Sequence, residues 1–241
     1  CKELGVKDDP RNSRCVDGVR YVPIKVVDVA GLIPGSHKGK GLGNQFLTDM
    51  AEQASALIHV VDASGSRDSE GKMIGPGTND PLVDVKFLER ELDLWFLDII
   101  KRDWARIATM AETEKKSLTG LLLDKLSGLG VVGSNVSAAI AKSGLKSDKP
   151  KDWSEEELQT FASTLRKVSK PMLIAANKID LEPAGSNFQH MKDTLKDYSV
   201  IPVCSLGEYA LRKLADDGII AYNPGDRDFS ILKPEKLSDK D

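Results

Sequence analysis

The chain has 241 residues, of which 40% are hydrophobic and 29% charged, and its 34 basic and 37 acidic residues give a net charge of −3. This composition is that of a soluble globular protein with one large domain, or a core domain and a smaller one. The balanced charge gives no reason to expect DNA binding by the whole chain. No apolar run approaches the roughly 20 residues that cross a bilayer, and three cysteines are too few for a disulfide framework. We therefore expect a cytoplasmic protein without a membrane partner.

The first part of the chain combines two short apolar runs with glycine-rich connections. Residues 22–29 (VPIKVVDV) and residues 57–62 (LIHVVD) are rich in β-branched side chains, which predicts buried strands. A glycine-rich stretch, residues 31–43, follows the first run, and a helical pattern precedes the second. Residues 64–81 are polar, with four glycines and two prolines, and are predicted to form a loop.

A long helical region comes next and interrupts the alternation of strands and helices. Large apolar side chains recur at helical spacing from Phe87 to Ile107, which predicts a helix of several turns. Similar patterns cover residues 118–126 and residues 136–140, with a stretch of glycine and serine between them. We therefore interpret residues 84–150 as an inserted α-helical arm, either a hairpin or a small bundle.

Strands and helices alternate again after the arm. Ser154 and Glu157 have the spacing of a capping box, which predicts the start of a helix. Two more strands and two more helices are predicted at residues 172–176, 200–204, 188–196 and 208–215, respectively. This alternation predicts an α/β fold with a parallel sheet. The charged, proline-containing tail after Tyr222 is predicted to fray.

The sequence Asn177-Lys178-Ile179-Asp180 directly follows one of the predicted strands. The Asp180 carboxylate can accept both hydrogens on the Watson–Crick edge of guanine, N1–H and the exocyclic amino group, whereas adenine offers no such pair of donors. Lys178 can lay its aliphatic stem along the purine ring, and Asn177 can brace the loop and reach the base edge. The motif at a strand end therefore predicts a guanine-binding site.

Two further strand ends can contribute to the same site. Asp28 closes the first predicted strand and Gly31 follows it, so the carboxylate can hold magnesium through water while the glycine amide approaches a terminal phosphate. Ser205 follows the last predicted strand, where nearby backbone amides can donate to guanine O6. Neither feature is specific alone. A solvated carboxylate before a turn and a plain strand-to-helix connection are the alternatives.

Longer stretches around these residues resemble a known family. DVAGLIPGSHKGKGLGNQFL (residues 28–47) is similar to the extended third GTPase motif of the Obg-related proteins, AANKIDL (175–181) to the fourth motif, and VCSLGEYALRKL (203–214) to a variant of the fifth. The helical arm and the opening CKELGVK resemble the YchF-type subgroup in its archaeal-like form. The resemblance implies an α/β fold with a Ras-like P-loop GTPase sheet, an inserted α-helical arm and a C-terminal TGS domain.

The resemblance also implies a division of the chain. Residues 1–83 would form the first part of the GTPase core with the third motif and switch II, residues 84–150 the arm, and residues 151–222 the second part with the fourth and fifth motifs. Residues 223–241 would be a tail that leads to a further region. The sequence contains neither the phosphate-binding P-loop pattern GxxxxGK(S/T) nor a TGS domain. We therefore expect that the N-terminal part of the sheet is missing and that these residues alone are inactive.

By resemblance, Asp28 would serve magnesium and Gly31 the γ-phosphate. The fourth and fifth motifs would bind the base, through Asn177, Lys178, Asp180, Ser205 and Leu206. His37, in the glycine-rich stretch, is a candidate catalytic residue that positions the attacking water, with a solvated loop histidine as the alternative. Leu32 stands where Ras-like enzymes carry a glutamine that orients this water, so hydrolysis would depend on another group, a monovalent cation or a partner.

The predicted function is a switch that binds GTP and GDP and hydrolyses GTP slowly with Mg²⁺, and the resemblance links it to the ribosome or RNA. Many YchF-type relatives have a degraded fourth motif and prefer ATP, whereas this chain keeps NKID intact, which favours GTP. Two alternatives stay open. One is an ATP-preferring enzyme of the same family, and the other is a non-hydrolysing binding or scaffold module that uses the arm.

Overall fold

The computed structural model describes residues 5, 15–16, 19–20, 22–28, 53–68 and 71–237 of the chain. The chain divides into two compact units, residues 1–30 and residues 31–241. In the first unit, β1 (Cys15–Val16) and β2 (Val19–Arg20) form a short antiparallel pair.

Residues 22–28 of the first unit, which were predicted to be a buried strand, form no strand. The side chains of Val22, Ile24 and Val26 are between 76% and 81% exposed. Among the described residues, no neighbouring strand pairs with this segment. Because β-branched residues favour a strand only where a neighbouring strand and a covering layer receive them, the apolar run does not form one by itself, and the prediction is wrong for these residues.

The second unit contains a three-stranded parallel sheet in the order β3-β4-β5. The strands are β3 (Leu57–Asp62), β4 (Met172–Asn177) and β5 (Ser199–Pro202). The register pairs Asp62 with Asn177, so β3 and β4 end side by side at one edge of the sheet. The predicted parallel sheet is confirmed, with the last strand ending two residues earlier than predicted.

The described residues of the second unit also form seven α-helices. They are α1 (Pro81–Lys101), α2 (Trp104–Thr113), α3 (Leu118–Leu126), α4 (Gly133–Ser143), α5 (Glu155–Ser169), α6 (Ala184–Thr194) and α7 (Ser205–Asp216). Short 3-10 helices occupy Ser127–Leu129, Pro150–Asp152 and Pro234–Lys236. None of the helices in the described part of the chain is long and apolar enough to cross a membrane.

The helix starts follow local capping chemistry. The Asp80 side chain accepts a hydrogen bond from the Leu82 amide at 2.9 Å, and a proline stands at the first helical position of α1. The predicted capping box of α5 is present, because the Ser154 hydroxyl accepts from the Glu157 amide at 3.1 Å and Glu157 accepts from the Ser154 amide at 2.7 Å.

The apolar stripe from Phe87 to Ile107 was predicted to be one helix, but it is divided between α1 and α2. Asp103 has a non-helical backbone (φ −122°, ψ 9°) and is the N-cap residue of α2. Its carboxylate forms an ion pair with Lys125 of α3, which favours a bend at this point over a continuous helix. The helical spacing of apolar residues continues from α1 into α2, so the sequence pattern does not show where the chain bends.

Two hydrophobic clusters form the interior of the second unit. In the cluster among the helices, Leu92 and Phe96 of α1 and Leu122 of α3 are fully buried together with Phe161 of α5. The other lies between the sheet and its helices and includes Ile174 of β4. Helix α1 takes part in both clusters, so it connects the helical region with the sheet.

Part of the tail after Tyr222, which was predicted to fray, pairs with the segment that precedes it. Strand β6 (Ile220–Ala221) pairs with β7 (Ser230–Ile231), and the Leu232 amide donates to the Ile219 carbonyl at 2.8 Å. Ile220 is buried. These backbone hydrogen bonds hold the start of β7 against the segment before the tail, an ordered pairing that the composition of the tail did not predict.

Candidate functional site

The candidate site lies at the edge of the sheet where β3, β4 and β5 end. Because Asp62 and Asn177 are register partners, the loops after β3 and β4 start next to each other. The Ala63 amide donates to the Asn177 carbonyl at 2.9 Å, and the Ile179 amide donates to the Val203 carbonyl at 3.2 Å. Backbone hydrogen bonds therefore join three loops into one surface, where parallel sheets place their ligands.

Asn177 connects the loop after β4 with the start of α7. Its Oδ1 accepts hydrogen bonds from the Lys178 amide at 2.9 Å and from the Ser205 amide at 3.0 Å. This is the bracing contact predicted for Asn177. Backbone amides near Ser205 were predicted to donate to guanine O6, and the amide of Ser205 itself donates to Asn177.

Lys178 adopts a left-handed backbone conformation, with φ 63°. This region is disfavoured for residues with a side chain, by about 1–2 kcal/mol. The Lys178 ammonium donates to Asp62 Oδ2 at 2.7 Å and to Ser66 Oγ at 3.0 Å. Two sets of hydrogen bonds therefore stabilise this conformation. The Lys178 amide donates to Asn177, and the Lys178 ammonium donates to the loop after β3.

Asp62 accepts hydrogen bonds from three residues. Oδ1 accepts from the Ser64 amide at 3.1 Å and from the Ser64 hydroxyl at 2.6 Å, and Oδ2 accepts from the Ser66 hydroxyl at 2.7 Å in addition to Lys178. Burial acts to raise the pKa of Asp62, but the hydrogen bonds from Lys178, Ser64 and Ser66 outweigh it and lower the pKa to about 2. Asp62 is consequently ionised at neutral pH.

Asp180 lies exposed on the same surface and interacts with Cys204. A hydrogen bond to Asp180 raises the pKa of the Cys204 thiol. Cys204 is the N-cap of α7, and its sulfur accepts from the Gly207 amide at 3.2 Å. Leu206 follows in the first turn of α7 and is 75% exposed. The fourth and fifth motif residues thus meet, with the carboxylate facing solvent.

The structure brings together five residues predicted for the base: Asn177, Lys178, Asp180, Ser205 and Leu206. Asp28 belongs to the first unit, where it is exposed, and Gly31 and His37 lie outside the described residues. Their roles stay predictions.

Asp62, Ser64 and Ser66 were not predicted to belong to the site. The available signal was the position of Asp62 at the end of a predicted strand, the same argument that singled out Asp28. Because the contact joins residues 116 apart in sequence, only the register of β3 with β4 makes the partner of Asp62 evident.

A magnesium site is implied by the family resemblance. The residues that the structure describes contain no group of three His, Cys, Asp or Glu side chains that could hold a metal ion. Magnesium bound to a nucleotide needs only one or two carboxylates, because phosphate oxygens and waters supply the other ligands. The Asp28 carboxylate is a suitable donor of this kind, and the assignment stays a prediction.

Two family models match the chain. Residues 175–241 match a model described as Obg-like GTPase YGR210-like, G4 motif-containing domain. Residues 6–85 match a model described as 50S ribosome-binding GTPase. The first of these matches covers the fourth and fifth motifs, and the second covers the third motif.

Several curated proteins are similar to this chain over most of its length. A GTP-binding protein of Methanocaldococcus jannaschii is 45% identical over all of this chain, which covers 59% of that protein. A GTP-binding protein of Schizosaccharomyces pombe is 35% identical over 93% of this chain and 54% of its own length. The ribosome-binding ATPase YchF of Mycoplasma pneumoniae is 29% identical over 84% of this chain and 54% of its own length. The chain therefore spans little more than half the length of these relatives.

A solved structure agrees with the fold. The crystal structure of a GTP binding protein from Pyrococcus horikoshii OT3 superposes with a TM-score of 0.76 at 38% identity, over 93% of this chain and 60% of that chain. The α/β fold, the motifs at the strand ends and these relatives agree with one another. Over its whole length the chain is similar to GTP-binding proteins of the Obg- and YchF-like family.

Proposed function

We propose that this chain supplies the guanine-recognising part of a switch that binds GTP and GDP and hydrolyses GTP slowly. The observation that carries the proposal is the surface made by Asn177, Asp180 and the start of α7. There, an exposed carboxylate stands beside a loop that is braced from two sides. Pre-organised loops of this kind lower the cost of ordering side chains when a ligand binds.

The proposed recognition of guanine uses charge and hydrogen-bond direction. The Asp180 carboxylate is acceptor-only when ionised, so it can take both N1–H and the exocyclic amino hydrogens of guanine. Adenine presents an unprotonated N1 at the same position, so the carboxylate, once covered by the base, would be left without a donor. Amides in the first turn of α7, near Leu206, would face guanine O6, where the helix N-terminus favours negative partial charge.

The proposed hydrolysis is attack of water on the γ-phosphate, with catalysis by positioning and charge stabilisation. Magnesium would neutralise phosphate charge, with Asp28 as its protein ligand through water and Gly31 near the γ-phosphate. Leu32 cannot orient the water, so the proposal assigns this task to His37, a monovalent cation or a partner. The low intrinsic rate follows from the missing glutamine.

The proposed partner is the ribosome. Support comes from the description of the model matched by residues 6–85, a 50S ribosome-binding GTPase, and from the relatives named ribosome-binding ATPase. A switch of this family would bind the ribosome in one nucleotide state and leave it in the other.

The YchF relatives are described as ATPases, which favours a second candidate function, that of an ATP-preferring enzyme. Calorimetry of the protein at its natural full length would separate the two. We expect tight binding of GDP and at least tenfold weaker binding of ADP. Equal affinity for ADP would support the ATPase, and binding of neither nucleotide would support a scaffold role.

The substitution Asp180→Asn tests the assigned contact. We expect the affinity for GDP to fall about 30-fold, since a hydrogen-bonded pair with a charged group is worth about 2 kcal/mol. The affinity for xanthosine diphosphate should rise, because xanthine carries an oxygen in place of the amino group of guanine and the new side-chain amide of the Asp180→Asn variant can donate to it. The matched control is Asp193→Asn on α6, whose side chain is 60% exposed. Asp180 does not face the base if both variants bind GDP equally well.

A further inference from the structure

We propose that Asp62 is a positioning residue for guanine recognition, because it fixes Lys178 in the conformation in which its stem can line the base site. The proposal rests on the proposed function of the same surface. It concerns a residue on β3, outside the fourth and fifth motifs. Asp62 acts through Lys178 and does not itself touch the nucleotide.

The contact between the two residues is close and largely shielded from solvent. The Lys178 ammonium lies 2.7 Å from Asp62 Oδ2, and the side chains are 30% and 13% exposed, respectively. Ser66, which is buried, accepts a second hydrogen bond from the same ammonium. A partly buried ion pair with an added hydrogen bond is stronger than an exposed one, because water competes less for either charge.

Asp62 is itself held rigidly. Both of its oxygens accept hydrogen bonds from Ser64 or Ser66, and these two serines are at most 2% exposed. The carboxylate therefore cannot follow Lys178 if the lysine moves. It defines one position for the ammonium.

The position of the Lys178 ammonium matters because the loop after β4 turns at Lys178. Lys178 has a left-handed backbone, and the two residues after it contact the loop after β5. The Ile179 amide donates to the Val203 carbonyl, and Asp180 interacts with Cys204. A lysine side chain loses rotamer freedom when it is fixed, and this loss opposes ligand binding if the ligand has to fix it. The ion pair with Asp62 incurs this loss before the nucleotide arrives, which is pre-organisation of the binding site.

A double-mutant cycle tests the proposal on the protein at its natural full length, with GDP as the probe. The four proteins are the wild type, Asp62→Asn, Lys178→Met and the double variant. Asparagine retains an acceptor for the Ser64 amide and removes the charge, while methionine retains the apolar stem and removes the ammonium. We expect Asp62→Asn to weaken GDP binding about tenfold when Lys178 is present and less than twofold when residue 178 is changed.

The coupling distinguishes positioning from general stability. If Asp62→Asn weakens GDP binding by the same factor in both backgrounds, or in neither, Asp62 does not act through Lys178 and the proposal is wrong. The control Asp193→Asn should bind GDP as the wild type does. Thermal unfolding of each protein checks that the variants are folded under the assay conditions.

Ser66→Ala provides a second measurement that does not depend on the folding of Asp62→Asn. It removes one acceptor from the ammonium, and we expect about threefold weaker GDP binding with Lys178 present and no change in Lys178→Met. Absence of this difference would overturn the proposal. Failure of the wild type to bind GDP would instead overturn the proposed function, and this inference with it.

Discussion

The variant Arg166→Met is expected to lower the free energy of unfolding by about 3 kcal/mol, because it leaves two carboxylates without their buried cation. The Arg166 side chain is 1% exposed, and its Nε donates to Asp93 at 2.7 Å while Nη2 donates to Glu89 at 3.2 Å. Burial acts to lower the pKa of Arg166, but Asp93 outweighs it and raises the pKa. The charge is therefore present in the folded protein at any ordinary pH. Urea unfolding monitored by circular dichroism measures the loss.

Arg212→Met is the matched control. Arg212 donates to Glu208 at 2.6 Å, but its side chain is 55% exposed and the two residues lie one helical turn apart on α7. Exposed pairs of this type contribute at most about 0.5 kcal/mol. If both arginine variants lose the same free energy of unfolding, with an unchanged slope of that free energy against urea concentration, burial does not strengthen the Arg166 network.

The Arg166 network joins three elements. Glu89 and Asp93 lie on α1, Arg166 lies on α5, and Tyr198 precedes β5. The Tyr198 hydroxyl contacts Glu89, and it is also 3.4 Å from Arg166. Burial, together with the hydrogen bond to Glu89, raises the pKa of Tyr198 to about 12, so this hydroxyl retains its proton through the neutral range. The network therefore fastens the helical region to the strand that leads to Cys204.

Local patterns predicted the parts of the fold that depend on local chemistry. The apolar runs of β3 and β4 and the capping box at Ser154 and Glu157 were identified because each is complete within a few residues. The motif from Asn177 to Asp180 was predicted to lie at a strand end, and it does. Its spacing and its position together predict a site for the guanine base.

The features that sequence analysis missed depend on partners far along the chain. Arg166 occupies the basic last turn of α5, which is typical of an exposed residue, and only the packing of α1 against α5 buries it. Residues 22–28 carry a strand-like pattern, but a strand also needs a neighbour. The partner of Asp62 follows from the register of two strands. No local pattern contains any of these three facts.

Gly65→Ala is expected to lower the free energy of unfolding by at least about 3 kcal/mol, since it combines an unfavourable backbone conformation with a backbone clash that only a shift of the loop can relieve. Gly65 has φ 60°, and a Cβ added there would lie 2.1 Å from the Asn79 carbonyl oxygen. That oxygen belongs to backbone fixed in place by a hydrogen bond of 3.0 Å from the Asn79 amide to the Gly65 carbonyl. The loop between Ser64 and Ser66 must therefore shift, which should also weaken GDP binding through Asp62.

Gly71→Ala separates the two causes, because Gly71 has φ 81° in the same loop but has open space where the Cβ would stand. We expect a loss of about 1 kcal/mol from backbone conformation alone, and unchanged affinity for GDP. Urea unfolding and calorimetry with GDP on both variants provide the comparison. If Gly65→Ala is no less stable than Gly71→Ala, the close approach of Asn79 does not constrain this loop. If it is less stable but binds GDP normally, the loop is not needed to hold Lys178 in place.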